Sequence, residues 1–453
     1  MEYKNVYFLG IGGIGMSALA RYFLHGGYAV AGYDRTPSHL TGELEAEGAA
    51  VHYEDDVRLI PEGFLDPKKT MVVYTPAVPQ DHGEYRYFRE HGFCVEKRSQ
   101  MLGHLAEGKY VMAVAGTHGK TTTSTMVAWL NRALTGGGSA FLGGISKNFG
   151  GNLVLGDGGR LAVEADEFDR SFLRLYPDVA VVTSADADHL DIYGDLEHVH
   201  QAFREFASQV SETLILKLGL PIAPADVQAR IFSYHFDDPA ADFHSANLRL
   251  DDSGHYIYDL VYPGGTLSDI RVGAIGWVNV ENSIAAAAAC LCYGMDAQKV
   301  RHAVASFEGV RRRLDVHVNR PGLCYIDDYA HHPAELRSAI SSVRQVFPGR
   351  KITGVFQPHL YTRTRDFAPE FAEALSLLDK LVLLDIYPAR EEPIEGVSSA
   401  LIFKDVNCPE KVMITKSELM DFLADEDIDV LMTLGAGDID RFVPQITEML
   451  EKR

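Results

Sequence analysis

Apolar runs alternate with helical and turn-rich stretches along the first hundred residues. An apolar run at Asn5–Leu9 enters a glycine-rich turn, and residues 16–25 are predicted to form a helix after it. Further strand-like runs occupy residues 29–32, 71–74 and 94–96. Repetition of strand, loop and helix predicts a doubly wound parallel sheet, and we assign it to a first domain, residues 1–107.

The same alternation continues in a second predicted domain, residues 108–309. Its first strand, Tyr110–Ala115, is apolar throughout, which is typical of a strand buried on both faces. Helices are predicted at residues 122–134 and 280–293, and strands at residues 161–163, 179–183 and 213–216. Residues 223–275 are polar and rich in turns, with short strand-like runs, and this pattern predicts an antiparallel addition.

A third predicted domain, residues 310–453, repeats the α/β pattern. Strands are predicted at residues 324–326, 352–356, 381–384, 412–414 and 430–434. The expected fold class is therefore α/β in three domains. They are a Rossmann-like N-terminal domain, a central domain of the phosphate-loop type with the antiparallel addition, and a Rossmann-like C-terminal domain.

Composition narrows the possible partners. The chain has 453 residues, of which 46% are hydrophobic and 23% charged, and its formal net charge is −21. A chain this acidic repels polyanions, so no nucleic-acid partner is expected. The five cysteines lack zinc-type spacing, and neither a signal-peptide pattern nor an apolar stretch of membrane-spanning length is seen. We expect a cytoplasmic protein without membrane insertion.

The first glycine-rich turn follows a strand and precedes a helix. It fits the pattern G-x-G-x-x-G, which lets the backbone approach a phosphate at a helix N-terminus. Asp34 follows about twenty residues later, where an acid that binds ribose would lie. Taken alone, the motif allows NAD, another diphosphate ligand or a tight turn without a ligand. The candidate substrate-binding residues are Gly10, Gly12, Gly13, Ile14, Gly15, Met16 and Asp34.

A second loop has the core of a phosphate-binding motif, although Val114 stands where its first glycine would be. Lys120 is expected to contact the β- and γ-phosphates of ATP, and the Thr121 hydroxyl to bind Mg²⁺. Two phosphate loops in one chain are hard to reconcile with a simple dehydrogenase. The loop consists of Gly116, Thr117, His118, Gly119, Lys120, Thr121 and Thr122.

Acids and a histidine follow the next strands of this domain. Glu164 comes directly after the predicted strand 161–163, beside the phosphate loop, where a Mg²⁺ ligand belongs. His189 follows the strand 179–183 and is a candidate second metal ligand. For Asp166, Asp186 and Asp191, a solvated loop carboxylate is the better interpretation.

Two polar clusters follow strands of the third domain, where open α/β sheets place their ligands. One contains Asp328 and two histidines, and the other contains a histidine and two arginines that suit a carboxylate or a phosphate. The histidines and arginines are His331, His332, His359, Arg363 and Arg365. A polar surface loop remains the alternative for each cluster.

Taken together and in order, these motifs resemble the Mur ligases along nearly the whole chain. The resemblance rests on residues 10–17, 116–122, 164–173, 188–191, 279–282, 312–315, 327–333, 356–365 and 435–438. It is strongest to the branch that joins L-alanine to UDP-N-acetylmuramate. It implies ATP and Mg²⁺, and an acyl phosphate of the muramoyl carboxylate that the amine of L-alanine attacks.

The resemblance also implies residue roles. Lys120 would be the phosphate lysine and a catalytic residue, with Thr121 and Glu164 on one Mg²⁺ and His189 on a second. Asn279 and Asn282 would contact the adenine side of the nucleotide, and Arg313 and Asp328 would reach ATP from the third domain in a closed form. The third-domain histidines and arginines named above would surround L-alanine and the muramoyl carboxylate.

Three alternatives stay open at this stage. The nearest is the recycling ligase that joins a tripeptide to UDP-N-acetylmuramate, because it would share the sugar and ATP sites. An NAD-dependent oxidoreductase would explain the first glycine loop but not the second. A non-catalytic nucleotide-binding regulator would keep the loops without turnover. We expect a monomer or a weak homodimer.

Overall fold

The structure is a computed structural model that describes residues 3–135, 137–156, 159–187, 190–222, 227–251, 253–389 and 391–453. The chain divides into two compact units. The first unit comprises Met1–Ala246, Asp259–Ile270 and Asn282–Phe307, and the second comprises Asn247–Tyr258, Arg271–Glu281 and Glu308–Arg453. The described strands form three sheets.

The N-terminal sheet is parallel and five-stranded, in the order β3-β2-β1-β4-β5. Its strands are β1 Asn5–Leu9, β2 Ala29–Tyr33, β3 Ala50–His52, β4 Thr70–Tyr74 and β5 Cys94–Lys97. Its helices are α1 Ile14–His25, α2 His39–Ala46, α3 Gly83–Glu90 and α4 Arg98–Ala106. The predicted parallel sheet is confirmed, and α1 begins two residues earlier than the sequence indicated.

The central sheet has ten strands, in the order β15-β14-β13-β12-β11-β10-β6-β9-β7-β8. Its strands are β6 Tyr110–Ala115, β7 Ser139–Ser146, β8 Gly151–Val154, β9 Arg160–Ala165, β10 Val179–Val182, β11 Thr213–Lys217, β12 Arg230–His235, β13 Phe243–Leu250, β14 Tyr256–Tyr262 and β15 Gly265–Arg271. The helices between them are α5 Lys120–Thr135, α6 Leu190–Tyr193, α7 Leu196–Ser208, α8 Trp277–Cys292 and α9 Ala297–Ala305.

The predicted antiparallel addition corresponds to the strands at the β15 edge of this sheet. Five residues connect β13 to β14 and two connect β14 to β15, and connections this short join only antiparallel neighbours. One pairing differs from the expectation, because β12 pairs with β13 in parallel. In this pairing, Tyr234 lies opposite Phe243 and His235 lies opposite His244. The short parallel contact extends the parallel core by one strand before the direction alternates.

The C-terminal sheet has six strands, in the order β16-β17-β21-β18-β19-β20, and all its pairings except β16–β17 are parallel. Its strands are β16 Asp315–Arg320, β17 Leu323–Asp328, β18 Ile352–Phe356, β19 Lys380–Leu383, β20 Glu410–Met413 and β21 Val430–Leu434. Its helices are α10 Pro333–Val346, α11 Tyr361–Asp366, α12 Ala368–Leu375, α13 Ala400–Phe403, α14 Leu419–Asp425 and α15 Val443–Glu451.

A single hydrophobic cluster runs through the first unit. It joins Phe8 of β1 and Leu19 of α1 to Phe141 of β7 and Val163 of β9, all nearly or fully buried. The N-terminal and central sheets therefore share apolar packing, and α1 lies against the hairpin formed by β7 and β8. Among the described residues, no helix combines the length and the apolar character that a membrane span requires. The predicted boundaries at residues 107 and 309 stay predictions.

Candidate functional site

The first glycine loop lies between β1 and α1, and the carboxylate of Asp34 helps to hold it in place. Gly10 has a φ of +86°, and a Cβ there would come within 2.5 Å of Thr75 Cγ2. The Asp34 carboxylate accepts hydrogen bonds from the backbone N–H groups of Gly12, at 2.8 Å, and Thr36, at 3.2 Å. The loop can therefore present helix N–H groups to an anion, while Asp34 stabilises the conformation of the loop.

The second loop is fixed against the end of β10. Gly116 has a φ of +138°, and a Cβ there would meet Thr183 Oγ1 at 2.1 Å, so this position requires glycine. Ser184 Oγ accepts from the N–H of His118 at 2.7 Å and lies 2.9 Å from Thr117 Oγ1. These bonds give the turn between β6 and α5 one conformation before any phosphate binds.

Lys120 begins α5 and forms a buried ion pair. Its Nζ lies 2.9 Å from Glu167 Oε1 and 2.7 Å from Oε2, and Glu167 is only 1% exposed. Burial raises the pKa of the Glu167 carboxyl to about 7, and the Lys120 ammonium opposes that rise. The pKa of Lys120 is raised despite burial, because Glu167, Asp166 and Glu164 favour its charged form. The phosphate lysine therefore has an internal anion as its partner.

A cleft of about 230 Å³ opens beside the first turn of α1. Gly13, Gly15 and Met16 of the glycine loop line it, and so does Glu164. A Cβ on Gly143 of β7 would lie 2.2 Å from Glu164 Oε2, so a glycine makes room for this carboxylate. The fold thus brings the loop predicted to bind a sugar nucleotide to the same cleft as the carboxylate predicted to bind Mg²⁺.

Arg98 supplies positive charge to this cleft. Of the described residues that line it, Arg98 alone is cationic, and its Nη2 donates to Asp166 Oδ2 at 3.0 Å. A Cβ on Gly15 would lie 2.8 Å from Arg98 Nη1, so the guanidinium lies against the N-terminus of α1. Asp166 is therefore a partly exposed loop carboxylate, as the sequence indicated, and it is also ion-paired at the cleft.

Two of the predicted magnesium ligands, Thr121 and Glu164, lie within the described residues. Glu164 occupies the space that Gly143 leaves, and Thr121, 8% exposed, lies in the first turn of α5. Oxygen ligands of this kind suit Mg²⁺. His189, the predicted ligand of a second Mg²⁺, lies outside the described residues. Within the described ranges, no group of three His, Cys, Asp or Glu side chains could hold a metal ion. The ligand set stays a prediction.

The two asparagines predicted to contact adenine lie in the first turns of α8. Asn282 Oδ1 accepts from Thr123 Oγ1 at 3.1 Å, and a Cβ on Gly119 would lie 3.1 Å from the same oxygen. Asn282 is therefore adjacent to the phosphate loop. Asn279 is 4% exposed and donates to the Ile275 carbonyl oxygen at 2.7 Å, which supports the start of the helix. Both adenine contacts stay predictions.

Asp328 is buried at the end of β17. Its carboxylate accepts from the N–H groups of Leu314, at 2.7 Å, and Ala330, at 2.8 Å, and burial raises its pKa to about 6. The Arg313 guanidinium lies over the Tyr329 ring, with 5.3 Å between Cζ and the ring centroid. Asp328 therefore fixes the loops that carry its neighbours, and its predicted contact with ATP stays a prediction.

The structure brings together most of the third-domain residues predicted to bind substrate. The rings of His331 and His359 lie 5.9 Å apart, and Arg363 Nη1 is 3.5 Å from His359 Nδ1. The His332 ring packs edge-on against a phenylalanine, with 5.0 Å between centroids. Arg365 instead pairs with the adjacent exposed Asp366, at 2.7 Å. Within this cluster, Arg365 has the weakest support for a substrate role.

Sequence reasoning missed three residues: the partner of the phosphate lysine, a cation of the cleft and a support beneath the glycine loop. The missed residues are Glu167 as the partner of Lys120, Arg98 as the cation of the cleft and Asn152 beneath the glycine loop. A usable signal existed only for Arg98, which directly follows a parallel strand at the edge where ligands bind. The others depend on packing between distant segments.

Comparison with known proteins agrees along the whole chain. Family models match in three consecutive segments: the Mur ligase family catalytic domain at residues 5–110, the Mur ligase middle domain at 114–290, and the Mur ligase glutamate ligase domain at 312–437. A UDP-N-acetylmuramate–L-alanine ligase of Phocaeicola vulgatus is 50% identical over 454 residues, which cover 99% of each chain. Its counterpart in Parabacteroides distasonis is 51% identical, covering 99% of this chain and 97% of that one.

A solved structure extends the agreement to the fold. The UDP-N-acetylmuramate–alanine ligase of Thermotoga maritima is 26% identical and superposes with a TM-score of 0.85, with 99% of both chains covered. Identity near one half over the full length, together with matches to three successive family segments, leaves one conclusion. The chain belongs to the Mur ligase family.

Proposed function

We propose that the protein joins L-alanine to the carboxylate of UDP-N-acetylmuramate and converts ATP to ADP and phosphate. The observation that supports this best is the cleft in which the glycine loop and Glu164 meet, close to Lys120 and its phosphate loop. A sugar diphosphate at the loop would extend its muramoyl carboxylate toward the phosphate site. Relatives about half identical over their full length have the same activity in their names.

The reaction follows from the chemistry of a carboxylate, which is a poor acylating agent at neutral pH. A carboxylate oxygen attacks the γ-phosphorus, the bond to the bridging oxygen breaks, and ADP leaves. The alanine nitrogen then attacks the acyl carbon, phosphate leaves with the bonding electron pair, and the nitrogen loses a proton. Lys120 and the N-terminus of α5 stabilise the negative charge on the transferred phosphoryl group.

The site also has residues suited to Mg²⁺. Glu164 and the Thr121 hydroxyl would hold the ion, which when bound neutralises charge on the phosphate oxygens. We assign Arg98 to the diphosphate end of the cleft, because its guanidinium lies against Gly15. An NAD-dependent reaction is disfavoured, because the Asp34 carboxylate that would bind ribose already accepts the backbone N–H of Gly12 in the glycine loop and that of Thr36 in its own loop.

Phosphate release with ATP, Mg²⁺, UDP-N-acetylmuramate and a panel of amino acids tests the proposal. L-Alanine should support turnover, and Lys120→Ala should reduce it at least about 100-fold, because a preorganised charge at the reacting group is lost. Lys404→Ala, on an exposed lysine of the second unit, is the matched control. Turnover with the tripeptide but not with L-alanine would favour the recycling ligase, and NADH binding without turnover would favour the oxidoreductase.

We further propose a cytoplasmic enzyme that acts as a monomer or a weak homodimer. All five cysteines are in the free state, which suits a reducing compartment. The net charge of −21 supports the absence of nucleic-acid partners. Sedimentation at micromolar concentration measures the oligomeric state directly.

A further inference from the structure

The hairpin of β7 and β8 places one buried amide side chain beneath the glycine loop. Asn152 of β8 is fully buried. Its Nδ2 donates to the Ile14 carbonyl oxygen at 2.6 Å and to Ser17 Oγ at 2.9 Å, while its Oδ1 accepts from Arg21 Nη1 at 2.7 Å. A carbonyl on one side and a guanidinium on the other allow one orientation of the amide.

A charged network holds this amide in place. Arg21 is 8% exposed and also donates to Glu43, at 2.6 Å, and to Glu47, at 2.9 Å. Glu43 lies in α2, and Glu47 directly follows it. A buried guanidinium needs its hydrogen-bond partners, so loss of the Asn152 oxygen would leave one donor unmatched. The amide therefore cannot rotate away from Ile14 without breaking contacts on both sides.

The Ile14 carbonyl oxygen accepts from Asn152 Nδ2 and also from Ser17 Oγ, at 2.9 Å, and these two bonds together hold the direction of the neighbouring N–H. A trans peptide is planar, so its carbonyl and N–H point in opposite directions. A hydrogen bond that fixes the Ile14 carbonyl therefore also fixes the N–H of Gly15. This N–H belongs to the first turn of α1, where helix N–H groups have no partner within the helix and are available to an anion.

The same hairpin also reaches the other wall of the cleft. Gly143 of β7 lies against Glu164, and both residues line the cleft together with Gly15. A rigid hairpin bonded to α1 by Asn152 thus sets the position of the glycine loop relative to the carboxylate that would bind Mg²⁺.

Resting on the proposed function, we propose that Asn152 is a positioning residue for the sugar nucleotide. Through the Ile14 carbonyl, it aims the N–H of Gly15 at the diphosphate and holds the glycine loop in register with the phosphate site. Asn152 itself touches no substrate. Its removal should weaken sugar-nucleotide binding selectively, which a residue needed only for folding would not do.

The sharpest variant is Asn152→Asp. A carboxylate is nearly the same size and still accepts from Arg21, but it cannot donate to Ile14 and instead repels that carbonyl oxygen. The matched control is Asn148→Ala, on the turn of the same hairpin, where the amide donates to the Ser306 carbonyl at 2.9 Å. Two readouts are measured: the KM values for UDP-N-acetylmuramate and ATP, and the Kd of UDP alone by calorimetry.

We expect Asn152→Asp to raise the KM for UDP-N-acetylmuramate and the Kd of UDP at least about fivefold, with the KM for ATP changed less than about twofold, as expected for loss of one hydrogen bond. Ser17→Ala is a milder variant in case the first does not fold. It removes the hydrogen bonds of Ser17 Oγ to Asn152 and to the Ile14 carbonyl but keeps the direct bond from Asn152 to Ile14, and it should raise the Kd of UDP about twofold to threefold. Unchanged UDP binding, or an equal rise in both KM values, would overturn the inference. UDP binding without ligase activity would refute the proposed function, while the Kd comparison still decides the role of Asn152.

Discussion

The ion pair between Lys120 and Glu167 makes a quantitative prediction about ATP binding. A phosphate that binds Lys120 must replace Glu167, whose oxygens lie 2.7 and 2.9 Å from Nζ in a site that is almost closed to solvent. Glu167→Gln keeps the shape of the side chain and one acceptor oxygen but removes its charge. We expect this variant to be less stable without a ligand and to bind ATP more tightly.

The magnitude follows from how well the amide replaces the carboxylate. Removing one partner of a buried ion pair destabilises a protein by about 3–5 kcal/mol when the remaining charge has no other partner. Here Asp166 and Glu164 still favour the charged lysine, and the amide oxygen of the variant can still accept a hydrogen bond. We therefore take about 1.5 kcal/mol, the low end for a hydrogen bond to a charged group. ATP binding breaks this contact in the wild type, so weakening the contact by this amount should lower the Kd of ATP about tenfold.

Calorimetric titration with a non-hydrolysable ATP analogue, together with thermal unfolding of the free protein, checks both halves of the prediction. Asp186→Asn is the matched control, because it removes the same charge close to the loop, 3.6 Å from His118 and not in contact with Lys120. Tighter binding in the Glu167 variant but not in the control would support displacement. Binding that is unchanged or weaker in the Glu167 variant would refute the reasoning, since Glu167 would then assist the bound phosphate.

Three further predictions concern the cleft, the N-terminal core and the second unit. Gly143→Ala places a Cβ within 2.2 Å of Glu164 Oε2, so phosphate release should fall at least about 100-fold while the melting temperature changes little. Burial raises the pKa of Glu84 from 4.5 to about 7. A carboxyl group whose pKa is raised on folding stabilises the fold at low pH. This contribution of up to about 3 kcal/mol is lost progressively as pH rises from about 4.5 to about 7. Urea unfolding at pH 5 and pH 8 should show that loss in the wild type, and Glu84→Gln should abolish it. Asp328→Ala should lower the free energy of unfolding by about 3 kcal/mol in urea titrations, because two buried N–H groups lose their acceptor.

The elements that sequence reasoning located well are those with a strong local signal. Tyr110–Ala115 and Ile352–Phe356 were predicted to the residue, because each is a mostly apolar run, as expected of a strand buried on both faces, and each lies between residues that are polar or glycine. The glycine loop and the phosphate loop were found for a related reason. Gly10, Gly116 and Gly119 have positive φ angles that other residues rarely adopt, so the sequence has little freedom at those positions.

The pairing of β12 with β13 shows where local signals end. A polar, turn-rich segment indicates hairpins, and β13 to β15 follow that rule. However, β12 continues the parallel core beyond β11, and β13 begins level with the end of β12 and runs on in the same direction. No residue pattern in β12 distinguishes this arrangement from a hairpin.

Asn152 and Glu167 were missed because burial, and not residue type, gives them their roles. An asparagine between glycine and leucine in a short hairpin is typical of an exposed turn, and only the packing of α1 on the hairpin buries it. Glu164, Asp166 and Glu167 follow one strand within four positions, and the sequence gives no reason to prefer one as the partner of Lys120. The chain turns into a short helix at Phe168, and Glu167, which directly precedes it, is the carboxylate that is buried.

The pairing of cations explains how so acidic a chain can bind anionic substrates selectively. Lys120 is paired with Glu167 and Arg98 with Asp166, so neither cation is available to an anion that merely approaches. An incoming phosphate gains a site only if it replaces a carboxylate already in place and also meets the N–H groups of a helix N-terminus. The binding free energy is then the difference between the new pair of cation and phosphate and the pair of cation and carboxylate that it replaces. Such a site should discriminate between anions by geometry more than by charge, which is what a ligase needs when it must place one phosphate beside one carboxylate.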